Sequence, residues 1–130
     1  MQEASVSVRL NPFKGLAGPE GTPVPWSPYG RILSGRPAFT LDPLFHAGCY
    51  YVQDSSAMFV GYLFRKLLTG RGPLRVLDLC AAPGGKTTDL AASLRGAYGD
   101  GFVLVANEVM KARVGVLDDD EGQVYRMLKD

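Results

Sequence analysis

Val76-Leu77-Asp78-Leu79-Cys80-Ala81-Ala82-Pro83-Gly84-Gly85-Lys86-Thr87 is the stretch that decides the fold of this 130-residue chain. Val76, Leu77 and Leu79 make the short apolar run that a buried parallel strand needs. Ala81 to Lys86 form a loop of small residues, stiffened by Pro83 and opened to close backbone approach by Gly84 and Gly85. Thr87 onward (Thr-Thr-Asp-Leu-Ala-Ala-Ser-Leu) is helix-competent. A strand, a tight glycine turn and a helix start gather free backbone N–H groups and a positive dipole end at one spot. Such a spot suits an anionic or carboxylate-bearing ligand.

Three ligand classes use a turn of this kind. A phosphate-wrapping loop needs a glycine five positions before the Gly of Gly85-Lys86-Thr87, and that position is Cys80. A dinucleotide fingerprint needs G-x-G-x-x-G, which Gly84-Gly85-Lys86 does not supply. S-adenosylmethionine methyltransferases ask for an acidic residue at the strand end and a short glycine turn, and Asp78 with Gly84-Gly85 meets both. The plain alternative is an ordinary strand–turn–helix corner.

Further stretches narrow the choice. Upstream lie Asp42-Pro43-Leu44-Phe45-His46-Ala47-Gly48 and Tyr50-Tyr51-Val52-Gln53-Asp54-Ser55-Ser56-Ala57-Met58, and at the start Ser7-Val8-Arg9-Leu10-Asn11-Pro12. Together with Asp78 to Thr87, these resemble, in order, the motifs of the Sun/Fmu/NSUN-type RNA (cytosine-5)-methyltransferases, in the branch that methylates 16S ribosomal RNA. The resemblance covers residues 5 to about 117. It implies S-adenosyl-L-methionine as cofactor, with the backbone of Cys80, Ala81, Ala82, Pro83, Gly84, Gly85 and Lys86 holding its methionine portion. Lys86 would face the carboxylate of that portion. It also implies RNA as partner, ribosomal RNA above all.

Composition agrees with a globular chain: 46% of residues are hydrophobic and 21% charged. Charge is uneven, with twelve Lys/Arg against eight Asp/Glu over residues 1–117 and two against five beyond. The basic excess fits an RNA partner weakly and a solvated surface equally well. Two cysteines, neither in a paired pattern, speak against a disulfide scaffold and for a reducing compartment. No basic-then-apolar leader and no run of 18 apolar residues is present, so a cytoplasmic place is the default expectation.

The chain divides by composition into a strand and Pro/Gly-rich connector (1–40), a partial cofactor-binding domain (41–117) and a divergent acidic tail (118–130). Residues 5–10 alternate as a strand that Asn11-Pro12 ends. Residues 15–37 carry five prolines and five glycines, which excludes long regular elements and predicts an extended connector wrapping a surface. Trp26 within it reads as an anchor into the body, with RNA stacking as the lesser alternative. A helix is expected from Ser55 or Ser56 to Leu68, capped by Asp54 or Ser55, bearing Met58, Phe59, Tyr62, Leu63 and Leu67 at helical spacing and stopped by Gly70. Strand Leu74–Leu79, helix Thr87–Ala97, strand Phe102–Ala106 and helix Met110–Leu117 follow. This is the opening βαβα part of an α/β, Rossmann-like methyltransferase domain, with only two of its strands. A sheet of two parallel strands is expected to leave apolar faces uncovered.

Glu108 directly follows the second of these strands, 24 residues beyond Gly84. An acidic side chain there in a doubly wound fold accepts hydrogen bonds from the cofactor ribose; an exposed loop glutamate is the alternative. Arg113 falls in a position similar to the family's Arg-Val stretch after that acid, and local packing of its stem is an equal reading.

The chemistry departs from the family. Carbon 5 of cytosine becomes nucleophilic only after a thiolate adds to carbon 6, and the family carries its two cysteines in Pro-Cys and Thr-Cys motifs. Here Cys49 follows Gly48 and Cys80 follows Leu79. Both cysteines read as structural, no catalytic residue is assigned, and His46 with Cys49 falls short of a metal site. The chain therefore reads as a truncated or rearranged member, expected to be inactive by itself. A non-catalytic remnant that binds cofactor or RNA is the alternative. The tail is expected to be dispensable, unless Val124, Met127 and Leu128 cover the open sheet edge.

Overall fold

The structure, a computed structural model, describes residues 5–118 together with Met127 and Leu128. It is an α/β arrangement of two sheets and four α-helices among those residues. The first sheet is antiparallel, in the order β2 (Thr22–Pro23), β3 (Gly30–Leu33), β1 (Val6–Leu10), β4 (Tyr50–Val52). Its register sets Val8 opposite both Arg31 and Val52. The second sheet pairs β5 (Arg75–Asp78) with β6 (Val103–Ala106) in parallel, Leu77 opposite Val105. The helices are α1 (Pro43–His46), α2 (Met58–Leu68), α3 (Gly85–Tyr98) and α4 (Lys111–Asp118).

The strand expected over 5–10 is present as β1, and it is buried on both sides. Val8 and Leu10 join Leu33, Phe39, Cys49 and Tyr50 in an apolar core, while Ser7 and Arg9 on the opposite side are buried as well. Asn11 ends the strand by accepting the Phe13 N–H at 3.1 Å. The Pro/Gly-rich segment does more than wrap a surface: it contributes β2 and β3, joined by a turn in which Val24 N donates to Gly30 O at 3.0 Å. Pro23 is tolerated because β2 is an edge strand, where a missing N–H costs no ladder bond. This sheet runs across residue 40, the expected division, because β4 supplies its other edge. Trp26 is an anchor: its Nε1 donates to Ser55 O at 2.7 Å, and its ring meets Phe59 edge-on at 6.2 Å.

The helix expected from Ser55 or Ser56 begins as a regular α-helix only at Met58. Ala57 is its N-cap and no side chain caps it; the Asp54 carbonyl instead accepts from Ala57 and Met58. The inward face of α2 is Met58, Gly61 and Leu68, whereas Phe59, Leu63 and Leu67 are exposed. Gly61 is what turns the helix this way, since its missing side chain lets α2 close onto Asp89 of α3. Gly70, at φ 74°, ends the turn that follows.

The βαβα order expected for residues 74–117 is present as β5, α3, β6 and α4, with bounds within two residues at most ends. One face of the β5–β6 pair is turned toward α3 across a cavity lined by Thr88, Ala91, Phe102 and Leu104. The other is bare: Leu77, Leu79, Val103 and Val105 are each more than half exposed. Residues 119–126, which include Val124 and most of the acidic run, lie outside the described residues. Met127 is buried, and its carbonyl accepts from Asn11 Nδ2 at 2.9 Å.

Candidate functional site

The carboxyl ends of β5 and β6 meet at the loop 79–84. Parallel α/β sheets bind ligands beyond the carboxyl ends of their strands, where the chain turns into a helix. Asp78 closes β5 and braces the loop from within: it accepts from Cys80 N at 3.2 Å and from Thr87 Oγ1 at 2.7 Å. Asn107, just after β6, donates from its own N–H to Asp78 O at 2.8 Å, and its carbonyl accepts the Ala81 N–H at 2.9 Å. Its side-chain amide donates to Leu79 O at 3.0 Å. Gly84 then takes a left-handed conformation, φ 108°, which a side chain would disfavour, and α3 starts at Gly85. The amides of Gly85, Lys86 and Thr87 are those a helix leaves without intrahelical acceptors.

Glu108 reaches back across this loop. Its Oε2 accepts from Ala82 N at 3.1 Å and its Oε1 from Met110 N at 3.0 Å. These bonds hold its carboxyl below the usual carboxylate range, the Met110 amide contributing most and Ala82 and Arg113 adding to it. Each carboxylate oxygen keeps a lone pair for a further donor. Arg113 extends from α4 and donates from Nη2 to Ala82 O at 3.0 Å. Arg113 thus makes a polar contact with the loop, which neither reading of it from the sequence included.

The nine residues singled out from sequence are thus gathered on one rim, from Cys80 to Lys86 on one side and Glu108 and Arg113 on the other. The amides of Cys80, Ala81 and Ala82 are turned onto Asp78, Asn107 and Glu108, and Pro83 has none, so the donors facing outward begin at the glycine turn. Lys86 is exposed in the first turn of α3. The two cysteines part company: Cys49 is buried in the core of the antiparallel sheet, whereas Cys80 is exposed at the loop and bears no packing role. His46 is engaged with Thr40 O at 2.7 Å. Among the described residues no group of three His, Cys, Asp or Glu side chains converges as a metal site would require.

Sequence reasoning missed the support beneath this rim. Arg9, from β1, is 1% exposed. Its Nη1 donates to Gln53 Oε1 at 2.5 Å and to Gly85 O at 2.6 Å, and its Nη2 to Thr88 Oγ1. Asp89, 2% exposed, lies between Arg9 at 3.9 Å and Arg65 at 3.4 Å. Burial pushes the Asp89 carboxyl up and the two guanidinium groups pull it back down. Tyr51 lies beside the same turn, its ring 5.6 Å from the Arg9 guanidinium carbon. Arginine in a strand of alternating small and apolar residues was the available signal; such an arginine is buried only if acceptors await it.

Comparison with known proteins points one way. Residues 1–55 match the model of the N-terminal domain of 16S rRNA methyltransferase RsmF. The chain is 36% identical over 121 residues, 87% of its length, to ribosomal RNA small subunit methyltransferase F of Cronobacter sakazakii. It is 41% identical over 102 residues, 74% of its length, to the protein of that name from Erwinia tasmaniensis. It covers only 24% and 20% of these two relatives, so it spans about a quarter or less of their length. Among solved structures, a methyltransferase homolog protein from Pyrococcus horikoshii is similar with a TM-score of 0.74 and 26% identity, over 97% of this chain and 41% of that one. The resemblance to the Sun/Fmu family thus extends over most of the chain.

Proposed function

We propose that this chain is the cofactor-binding part of an S-adenosylmethionine-dependent RNA (cytosine-5)-methyltransferase acting on ribosomal RNA. One observation carries the reading: Glu108, at the end of β6, is bonded to the backbone of the loop that ends β5, so both strand ends build a single rim. The residues present fit the cofactor. Gly85 sits where a Cβ would come within 3.1 Å of Tyr51 and 3.2 Å of Gln53, so its missing side chain is what lets those two residues pack on the helix start. The first-turn amides of α3 and the Lys86 ammonium suit the amino-acid carboxylate, and the free lone pairs of Glu108 suit the ribose hydroxyls.

In this reading the cofactor, when bound, supplies an electrophilic methyl group. The chain's own residues bind and orient it. Asp78 and Asn107 hold the loop closed, Glu108 and Arg113 latch it to the start of α4, and the short residues Ala81, Ala82 and Gly84 of that loop are buried. None of the 130 residues is a cysteine in a Pro-Cys or Thr-Cys setting, and Cys49 is buried away from the rim. The chain by itself is read as holding the cofactor without transferring its methyl group. A cytoplasmic place follows from a ribosomal RNA substrate, and no helix among the described residues is long and apolar enough to cross a membrane.

Calorimetric titration with S-adenosylmethionine tests the site. Saturable binding that is lost in Gly85→Arg and weakened in Glu108→Ala supports it. Binding indifferent to both substitutions refutes it.

A further inference from the structure

We infer that Arg9, in the antiparallel sheet, is a positioning residue that aims the ligand-facing amide of the glycine turn. The inference deepens the cofactor reading and rests on it. Arg9 is buried at the junction of β1, β4 and α3, and its guanidinium touches the turn directly through Gly85 O at 2.6 Å. A peptide unit is planar and trans, so its C=O and N–H point in opposite directions. Fixing the Gly85 carbonyl inward therefore turns the Lys86 N–H outward, to the rim where the ligand would lie. Gln53 and Thr88 hold the guanidinium in the plane this requires. Asp89, shared between the buried Arg9 and the part-exposed Arg65, offsets one of the two positive charges and leaves an excess of one beneath the amino end of α3. That excess adds to the helix dipole for an anionic group above it.

The geometry separates positioning from mere ion pairing. Arg9 and Arg65 both face Asp89, but only Arg9 reaches Gly85. Lysine keeps the charge at either position, yet a single ammonium cannot reproduce a planar fork that serves several acceptors at once. Arg9→Lys and Arg65→Lys thus retain the pairing with Asp89, and only the first releases the turn.

The test uses the whole chain with S-adenosylmethionine as probe, measuring affinity by calorimetry and the Gly84–Thr87 amide resonances by nitrogen-15 NMR in the ligand-free protein. Arg9→Lys is expected to move the Lys86 amide resonance and weaken binding by about tenfold, the loss of a charge-assisted hydrogen bond that holds the turn. Arg65→Lys is expected to leave both near wild type. Equal losses in the two variants, or Arg9→Lys binding as wild type does, overturn the inference. Should Arg9→Lys fail to fold, Gln53→Ala removes an acceptor that orients the guanidinium and is expected to act in the same direction; an unmoved Lys86 resonance there also overturns it. A wild-type chain that binds no S-adenosylmethionine refutes the cofactor reading instead, and the Lys86 resonance then still decides whether Arg9 sets the turn.

Discussion

Gly61 of α2 stands directly over the Asp89 carboxylate of α3: a Cβ at residue 61 would overlap both carboxylate oxygens. The buried acid has Arg65 on one side and Arg9 on the other. A residue without a side chain is what allows an aspartate to be buried between two helices.

Gly61→Ala is accordingly expected to destabilise the chain. Alanine favours helix over glycine by about 1 kcal/mol. Forcing a methyl group against buried atoms costs about 1–3 kcal/mol, and displacing a charge from its partners adds to that cost. Urea unfolding of the two forms decides the sign, and an alanine variant at least as stable as wild type would show that the helices separate freely.

Cofactor affinity is expected to depend on pH through Glu108. Its carboxyl is held below the ordinary glutamate value by the Met110 and Ala82 amides. A lowered value in the folded chain means that the latch is fully present above about pH 4.3, the unperturbed value, and is lost as pH falls through the lowered one. Affinity should stay level across the neutral range and drop only in strong acid, while Glu108→Gln lacks that drop. A wild-type curve that already falls near neutrality would assign the dependence to another group.

The segment carrying Met127 is expected to matter for stability. Asn11, 3% exposed, donates to Gly48 O and to Met127 O. Asn11→Ala leaves both carbonyls without this donor, a cost of about 1–3 kcal/mol. A chain ending at Leu117 should melt below the full chain, and Asn11→Ala should cost less in that shortened background, since one shared partner is already gone. Identical melting of the full and shortened chains would restore the view of the tail as dispensable.

Methyl transfer to ribosomal RNA by this chain alone is expected to stay at background. Cys49 is buried within the antiparallel sheet and Cys80 sits at the end of β5, neither in the motif that carries the family's thiolate. Labelled S-adenosylmethionine and unmodified ribosomal RNA provide the measurement. Incorporation that vanishes in Cys80→Ser would make that exposed thiol a participant.

The residues from Val76 to Thr87 disclosed β5, the loop and α3 because one strand, one glycine turn and one helix are local matters of propensity and spacing. Glu108 was legible for the same reason, as the first acid after an apolar run. The antiparallel sheet was not. Its strands β2 and β3 are two and four residues long and punctuated by proline and glycine, so no period marks them, and their pairing with β1 and β4 is a tertiary fact. The same holds for α2: Phe59, Leu63 and Leu67 share helical spacing and yet face outward, because the packing direction was set by Gly61 and Asp89. Arg9 could not be placed either, as its acceptors Gly85 and Thr88 lie on another element altogether.

That separation has a consequence in time. Arg9 is synthesised 79 residues before Thr88, an interval of about 4–16 s at ordinary rates of chain elongation. Once β4 has emerged within it, the first sheet can pair its strands, but the side that carries Arg9 stays hydrated until α3 emerges. The antiparallel sheet is therefore made first and closed only later, and the moment at which it closes is the moment at which the glycine turn acquires its shape.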